Sequence, residues 1–499
     1  MQTQTIIINF TGGIVSPGYL KEILVVAQNA RVTHVRFGLR QQLILEVPSG
    51  NFRTFKSACN EKDIVFYKSK EALPNIVSSY PAADIFSMDN WMREGVYKDI
   101  FDSFHYVPQL KINICDSQQT FVPFTTGHIN WVSSHSQHFW HLYIRFPKTG
   151  QVYKWKEQVY TNDIPHLSLC IENEILRNKG LYFRNDDADG DNLFRYVKSS
   201  INYISKEGAI EPLPDFSLPY YEGFNKLNNQ LWLGIYRRDE LFPVPFLIEV
   251  CQLCMQTRVG QLYTTPWKSI IVKNIDSTHR KLWDIILGRY RINVRHAANE
   301  LNWQVEDYTD KGLQLKGQVI RYFDKEDVRT YGLCFAVQTK PCSSMFGSVV
   351  IRKQQNKNPH KLKALERYDI LYKKDFNPNA EELLLFRDAV QKDHIGTYLV
   401  SLCKEYYDRK GESHPPEEQI AAPDRDSADK EIHIVHQCRH CLTVYVPAIG
   451  DVQQSIVPGT TFDDLPAHYC CPLCESPKSA FMEVVEESGQ ILSDMNQYS

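Results

Sequence analysis

The stretch "SPGYLKEILVVAQNARVTHVRFGLRQQLILEV", Ser16 to Val47, decides the architecture of most of this chain. Its first half spaces apolar residues as on one face of a helix, and its second half is rich in β-formers, so a helix followed by strands is expected. The same order returns in "VPFLIEVCQLCMQTRVGQLYTTPWKSIIVKNI", Val244 to Ile275. There Arg258-Val259 matches Arg31-Val32, and Leu262 matches Val35, at one constant offset. Two copies of a small α/β unit, each followed by a longer stretch, are therefore predicted.

A chain of 499 residues exceeds what one hydrophobic core supports, which implies two to four structural units. The apolar (43%) and charged (23%) fractions are those of a globular protein. With 56 basic against 59 acidic residues the net charge is −3, which gives no footprint for nucleic acid or for an anionic membrane surface. The start, "MQTQTIIINFTGG", lacks a basic region followed by a long apolar run, and no stretch of about 18 apolar residues occurs. A cytoplasmic protein is expected. Thiols stay reduced there, so clustered cysteines read as metal ligands or redox groups.

Five of the 13 cysteines fall in "HQCRHCLTVYVPAIGDVQQSIVPGTTFDDLPAHYCCPLCESPKSAF", His436 to Phe481. Cys438 and Cys441 form one C-x-x-C, and Cys471 and Cys474 a second. Each pair suits a tight knuckle whose thiolates converge on one metal. Together they complete a tetrahedral four-sulfur site, a geometry that serves zinc as well as iron.

Around the knuckles stand Tyr445, Pro447, Gly450-Asp451, Ile456, Pro458-Gly459-Thr460, Phe462, Asp464-Leu465-Pro466, Lys478 and Phe481. On these positions the stretch resembles rubredoxin over nearly its whole length. The resemblance implies one iron ion in Fe(Cys)4, cycling between ferric and ferrous, and so one-electron transfer. Three places depart from that pattern. Leu442 and Glu475 replace the glycine usual after each knuckle, where a left-handed backbone would be strained. Tyr469 replaces the usual tryptophan. Cys470 is a spare thiol beside Cys471, to which the C-P-x-C register assigns the ligand role.

The first repeat resembles the ferredoxin-like half domain of the sirohaem-dependent nitrite and sulfite reductases. The likeness rests on Gly12-Gly13, the helix that follows, and "VRFGLRQQLILEV", whose Arg40-Gln41 falls on that family's R-Q pair. It runs on through "LPNIVSSYPAADIF", "VPQLKINI" and "HINWVSS", and "TTPWKSIIV" resembles the equivalent strand in the second repeat. It implies that Arg40 and Lys111 stand at basic positions for sirohaem or an anion, whereas Asn9 and Gln109 replace further basic residues. The family's [4Fe-4S] cluster needs C-x5-C and then C-x3-C. After the second repeat only Cys334, Cys342 and Cys403 occur before the tail, so that cluster is not expected.

Other clusters read more simply. Cys251 and Cys254 form a third C-x-x-C inside an apolar helix, as two buried, inert thiols. "NDDADGDN" from Asn185 has Tyr196 where a calcium loop needs Glu, and is read as a solvated acidic turn. His135, His138 and His141 have a spacing that suits a metal only on a helix, and their neighbourhood is β-rich.

The expected fold is α+β. Two half domains (1–72 and 236–310) are each followed by a reductase-like segment (73–235, and 311–404 in degenerate form). After them come a linker (405–430, rich in charge, Pro and Ser), a rubredoxin-like module (431–486) and a polar tail (487–499). The leading functional reading is an electron-transfer protein that serves nitrite or sulfite assimilation through redox partner proteins, with a non-catalytic body. A second reading makes the body an active sirohaem reductase fed by its own iron. A third makes the tail a zinc-stabilised interaction scaffold.

Overall fold

Both repeat helices end in the same way, at their shared Arg-Val pair. In the computed structural model the helix Pro17–Asn29 starts at Ser16, whose hydroxyl accepts from the Tyr19 N–H (3.2 Å). The helix Val244–Gln256 also carries proline in its first turn. Past their ends, Arg31 (φ 63°) and Arg258 (φ 61°) adopt left-handed backbone. Val32 N–H thereby reaches the Ala27 carbonyl (2.9 Å), and Val259 N–H the Cys254 carbonyl (2.8 Å), closing each last turn. Gln41 (φ 56°) and Lys268 (φ 59°) are a second matched left-handed pair at the same spacing.

The structure describes residues 2–86, 91–123, 126–207, 216–294, 299–340, 345–355, 366–380, 382–413, 433–439, 444–445, 447, 451, 454, 456–457, 459–472, 476–487 and 490–492. The chain divides into two compact units, Met1–Ser413 and His414–Ser499.

In the first unit each repeat builds a five-stranded antiparallel sheet and lends the other an edge. One sheet runs Phe242–Pro243, His34–Phe37, Gln42–Pro48, Thr3–Asn9, Tyr67–Lys68. Its partner runs Gly223–Leu227, Gln230–Ile235, Ile270–Asp276, Leu262–Thr264, Ile14–Val15. The strand leading into each repeat helix thus pairs with the opposite repeat. The two helices pack in one shared core that holds Leu20, Ile23, Leu24 and Ala27 with Leu247, Val250, Cys251 and Cys254.

The two longer stretches build sheets of matching plan. One has Val77–Ser78, Ile112–Cys115 and Ile129–Ser133 parallel, then Phe139–Arg145 and Glu157–Tyr160 antiparallel. The other has Trp303–Val305, Phe335–Gln338 and Val349–Lys353 parallel, then Arg367–Lys373 and Leu383–Gln391 antiparallel. We call these the second and fourth sheets, after their order along the chain. The second unit holds one four-stranded antiparallel sheet, Val444–Tyr445, His433–Cys438, Phe481–Glu487, Gln490–Leu492.

Four expected boundaries move. Gly223–Ile235 belongs to the second half domain's sheet, not to the segment ending at 235. Trp303–Val305 opens the fourth sheet, ahead of the expected start at 311. The helix Ile395–Ser413 takes in residues 405–413, expected as linker, because Leu399, Leu402, Cys403 and Tyr406 give it an apolar face against the fourth-sheet core. The strand Gln490–Leu492 extends the tail sheet beyond 486, where a polar end was expected.

The exchanged architecture makes one glycine critical. A Cβ on Gly234 would lie 1.7 Å from the Tyr221 backbone oxygen. Gly234→Ala should therefore destabilise the first unit by about 1–3 kcal/mol, read as a lower urea midpoint of tryptophan fluorescence; an unchanged midpoint would mean that this contact relaxes at no cost.

Candidate functional site

In the second unit, Cys438 ends the strand His433–Cys438, and Cys471 follows the bridge that pairs Cys470 with Pro477. Both Cys438 and Cys471 are completely buried, in a core with Tyr445, Ile456, Phe462, Leu465, Tyr469 and Phe481. Backbone hydrogen bonds shape each knuckle: Arg439 N–H donates to the Ala480 carbonyl (2.9 Å), and Cys471 N–H to the Ser476 carbonyl (2.8 Å). Cys441 and Cys474, with Leu442 and Glu475, where strain was expected, lie outside the described residues.

Tyr469, in the tryptophan position, packs its ring 5.7 Å from Tyr445 and 6.0 Å from Phe481, between ring centroids. Cys470 turns its thiol to the His468 carbonyl (3.3 Å) and stays half-exposed, so the two neighbouring thiols have opposite environments.

Several residues that spacing alone did not single out hold this shell. The Gln454 side-chain amide donates to the Cys470 carbonyl (2.6 Å) and accepts from the Cys470 N–H (3.1 Å), pairing with the knuckle as a strand would. It also donates to Asp451 (2.9 Å). Lys478 donates to the Asp463 (2.9 Å) and Leu465 (2.8 Å) carbonyls and lies over the Phe462 ring. The His436 imidazole stacks directly on the Phe462 ring, with centroids 3.9 Å apart and planes at 12°. Two buried thiols enclosed by aromatic side chains, on backbone held by these hydrogen bonds, fit a metal held by sulfur and shielded from water.

In the first unit, Arg40 and Lys111 come together with two groups that the sequence did not flag, His128 and Arg145. Burial, then Arg40 and Arg145, push the Lys111 ammonium down to about 8. Burial, then Arg145, Lys111 and Arg40, push His128 down to about 2, so its imidazole is neutral, with Nδ1 accepting from the Lys111 N–H (3.2 Å). Arg145, in an otherwise apolar strand, is held down to about 10 by burial. A charge inside the run "FWHLYIRF" was the available sequence signal for it.

Arg40 does not fit the part of a sirohaem-carboxylate ligand. Its Nε and Nη2 donate to the Asn75 carbonyl (3.1 and 2.6 Å), Nη2 also to the Ile112 carbonyl (2.8 Å), and Nη1 to Asn113 Oδ1 (3.2 Å). Four of the five guanidinium donors thus tie the first half domain to the second sheet. Its neighbour Gln41 is completely buried and joins Ser78 and Thr264 across both repeats. Asn9, in a family basic position, pairs with Leu73 and Gln42. Gln109 donates its backbone N–H to Glu172 (2.8 Å).

The remaining sequence candidates are structural. Cys251 and Cys254 lie in the shared core, where burial pushes the Cys251 thiol up to about 12 and Cys254 higher still, so both stay protonated. Asp189 caps the helix Gly190–Ser200, accepting from the Asn192 N–H (3.0 Å). His135 is exposed, His138 packs against Trp91, and His141 is buried within a strand. Cys334 and Cys403 sit in separate cores, and Cys342 lies outside the described residues. Among the described residues no helix is long and apolar enough to cross a membrane.

The fold and these two sites define a class: a two-repeat α/β body and, in the second unit, a small module with buried knuckle thiols in an aromatic shell. Residues 435–481 match the rubredoxin family. The chain is 43% identical to a rubredoxin of Synechocystis sp. over 51 residues, 10% of this chain and 44% of that protein. It is 50% identical to the probable rubredoxin HupI of Bradyrhizobium diazoefficiens over 48 residues, 10% of this chain and 70% of that one. Through this module the chain belongs to the rubredoxin family. The body shares its fold with the structure of Mycobacterium tuberculosis NirA protein, at a TM-score of 0.59 and 14% identity, covering 80% of each chain. That likeness is in keeping with the half-domain resemblance read from the two repeats. The module's family implies an iron ion bound by cysteines, and redox partner proteins.

Proposed function

We propose that this protein moves single electrons through an iron ion held by Cys438, Cys441, Cys471 and Cys474, and delivers them within nitrite or sulfite metabolism while its body acts as a non-catalytic docking platform. The observation that carries the reading is the burial of Cys438 and Cys471 in an aromatic shell inside a rubredoxin-matching module. The iron supplies a one-electron couple that needs no change of ligands. The chain's own part is to hold the knuckles through Gln454 and the Ala480 and Ser476 carbonyls, and to exclude water with Tyr445, Phe462, Tyr469 and Phe481. The domain order supports the reading as well. A module following a charged, Pro-containing stretch is kept at high effective concentration near whatever the body binds.

The commitment of Arg40 to carbonyls argues against the sirohaem-enzyme reading, and the reductase-like fold alone does not restore it. The test is a visible spectrum with metal analysis on full-length protein, made in a host that synthesises sirohaem and supplied with iron. One iron per chain, with thiolate-to-iron bands that dithionite bleaches and no tetrapyrrole bands, is expected. Added tetrapyrrole bands would turn the body into a reductase, and a colourless zinc protein would remove the electron-transfer reading.

A further inference from the structure

The Arg145 guanidinium is buried, at 8% exposure, yet among the described residues it meets no carboxylate. Its Nε donates to the Gly127 carbonyl (3.0 Å), and Nη1 reaches the Thr149 carbonyl only at 3.4 Å. Among the described residues nothing accepts from Nη2. A planar group with five donors, two of them engaged, is an expensive thing to bury unless something else satisfies it. Arg145 lines a cavity of about 210 Å³ between the second and fourth sheets. The same cavity is lined by Lys373, the last residue of the strand Arg367–Lys373, whose Nζ donates to the Ala380 carbonyl (2.7 Å). Val152, Met345, Phe346 and Pro378 supply apolar walls.

Behind Arg145 the field is also positive. Among the described residues Arg40 has no ion pair, and burial followed by Arg145 lowers its pKa to about 9. Two cations from different sheets thus face one small chamber, with further positive charge at its back.

We propose that this Arg145–Lys373 cavity is a binding site for a small inorganic oxyanion. A guanidinium fork matches two oxygens of one anion bidentately, while an ammonium contributes a point charge from the other sheet. The volume excludes larger anions: it lies below the roughly 300–1,000 Å³ of sites for drug-sized ligands, and so holds no nucleotide or tetrapyrrole. Nitrite, sulfite, sulfate and phosphate share the required chemistry, whereas chloride cannot use the fork. The site needs neither the tail iron nor Arg40, so it stands independently of the electron-transfer reading.

All eight tryptophans lie before residue 304, so tryptophan fluorescence reports the body alone. Thermal unfolding of the iron-loaded full chain is followed by that signal with sodium nitrite, sulfite, sulfate, phosphate or chloride at matched ionic strength, and calorimetric titration gives each Kd. A saturable rise in Tm with at least one oxyanion and none with chloride is expected, and the tightest of the four names the ligand. Arg145→Gln and Lys373→Gln should each weaken binding at least tenfold. Arg145→Gln can fail to fold because the arginine is buried. Lys373 is only half-buried, so Lys373→Gln is the deciding variant. Oxyanions that act no differently from chloride, or a Lys373→Gln protein that binds as the parent does, would overturn the proposal.

Discussion

Cys471→Ser should lower the iron content from about one per chain to a small fraction and abolish the visible bands, while the tryptophan-reported melting of the body stays where it was. Two physical arguments combine. The thiolate is the ligand that an iron–sulfur centre needs, and a serine hydroxyl is a far poorer donor to soft-ligand metal sites. The second unit also has little else to hold it. Among the described residues its core is eight side chains, two of them the cysteines themselves. Domains of that size rarely stand without a metal or disulfide staple, and metal-binding free energy in such modules is folding free energy. Loss of iron should therefore bring loss of the tail's fold, read as rapid trypsin cleavage after Arg439 and Lys478. The body keeps its own cores and should resist. A variant that retains its colour would remove Cys471 from the ligand set and shift attention to Cys470. Joint collapse of colour and tryptophan signal would refute the independence of the two units.

The parts legible in sequence were those fixed by short spacing. Two C-x-x-C knuckles and the residues between them are local, so the tail could be read without a fold. The repeat was legible through Arg31 and Arg258 because the two stand at one constant offset, and both occupy the same left-handed helix stop. The exchange of Ile14–Val15 and Phe242–Pro243 between repeats was not, since two-residue strands carry no periodicity and their partners are more than two hundred residues away. The same cause misplaced Gly223–Ile235: it precedes the second repeat's helix, where chain order suggested the end of the previous segment. The last helix was cut short because Asp408, Arg409 and Lys410 are exposed and the charged stretch "DRKGES" reads as linker. Gln454 against Cys470, and Arg145 against Lys373, are juxtapositions that only tertiary structure makes. Their sequence trace was a polar residue in an otherwise ordinary loop and a charge in an apolar strand.

Replacing Glu240 with Gln should destabilise the body about as much as a large cavity-forming change in its cores. Glu240, at 2% exposure, holds Lys268 (2.7 Å) and Lys316 (3.6 Å). Lys268 reaches Asp307 (3.3 Å), and Asp307 accepts from the Leu39 N–H (3.2 Å). The network therefore clamps both half domains to the fourth-sheet segment through three buried charges and the half-buried Asp307. Removing the one carboxylate shared by two buried lysines takes Lys316 from its carboxylate and leaves Lys268 with Asp307 alone, and breaking buried pairs of this kind costs about 3–5 kcal/mol. The pH dependence separates this from a packing defect. Despite burial, Lys268, Lys316 and the more distant Arg36 hold the Glu240 carboxyl below the ordinary glutamate range. A carboxylate depressed in the folded state adds stability that is fully present above its unfolded pKa and is lost as pH falls through the folded one. Wild type and Glu240→Gln should thus differ most near neutrality, and their urea midpoints should converge as the solution is acidified below the glutamate range. Asp307 runs the other way, because burial raises its pKa, so protonating it at low pH relieves a cost rather than removing a contribution. Convergence must be judged on the difference between the two proteins, in which Asp307 largely cancels. A gap that stays constant from neutral to acid pH would assign the loss to shape and leave the charge network without its clamping role.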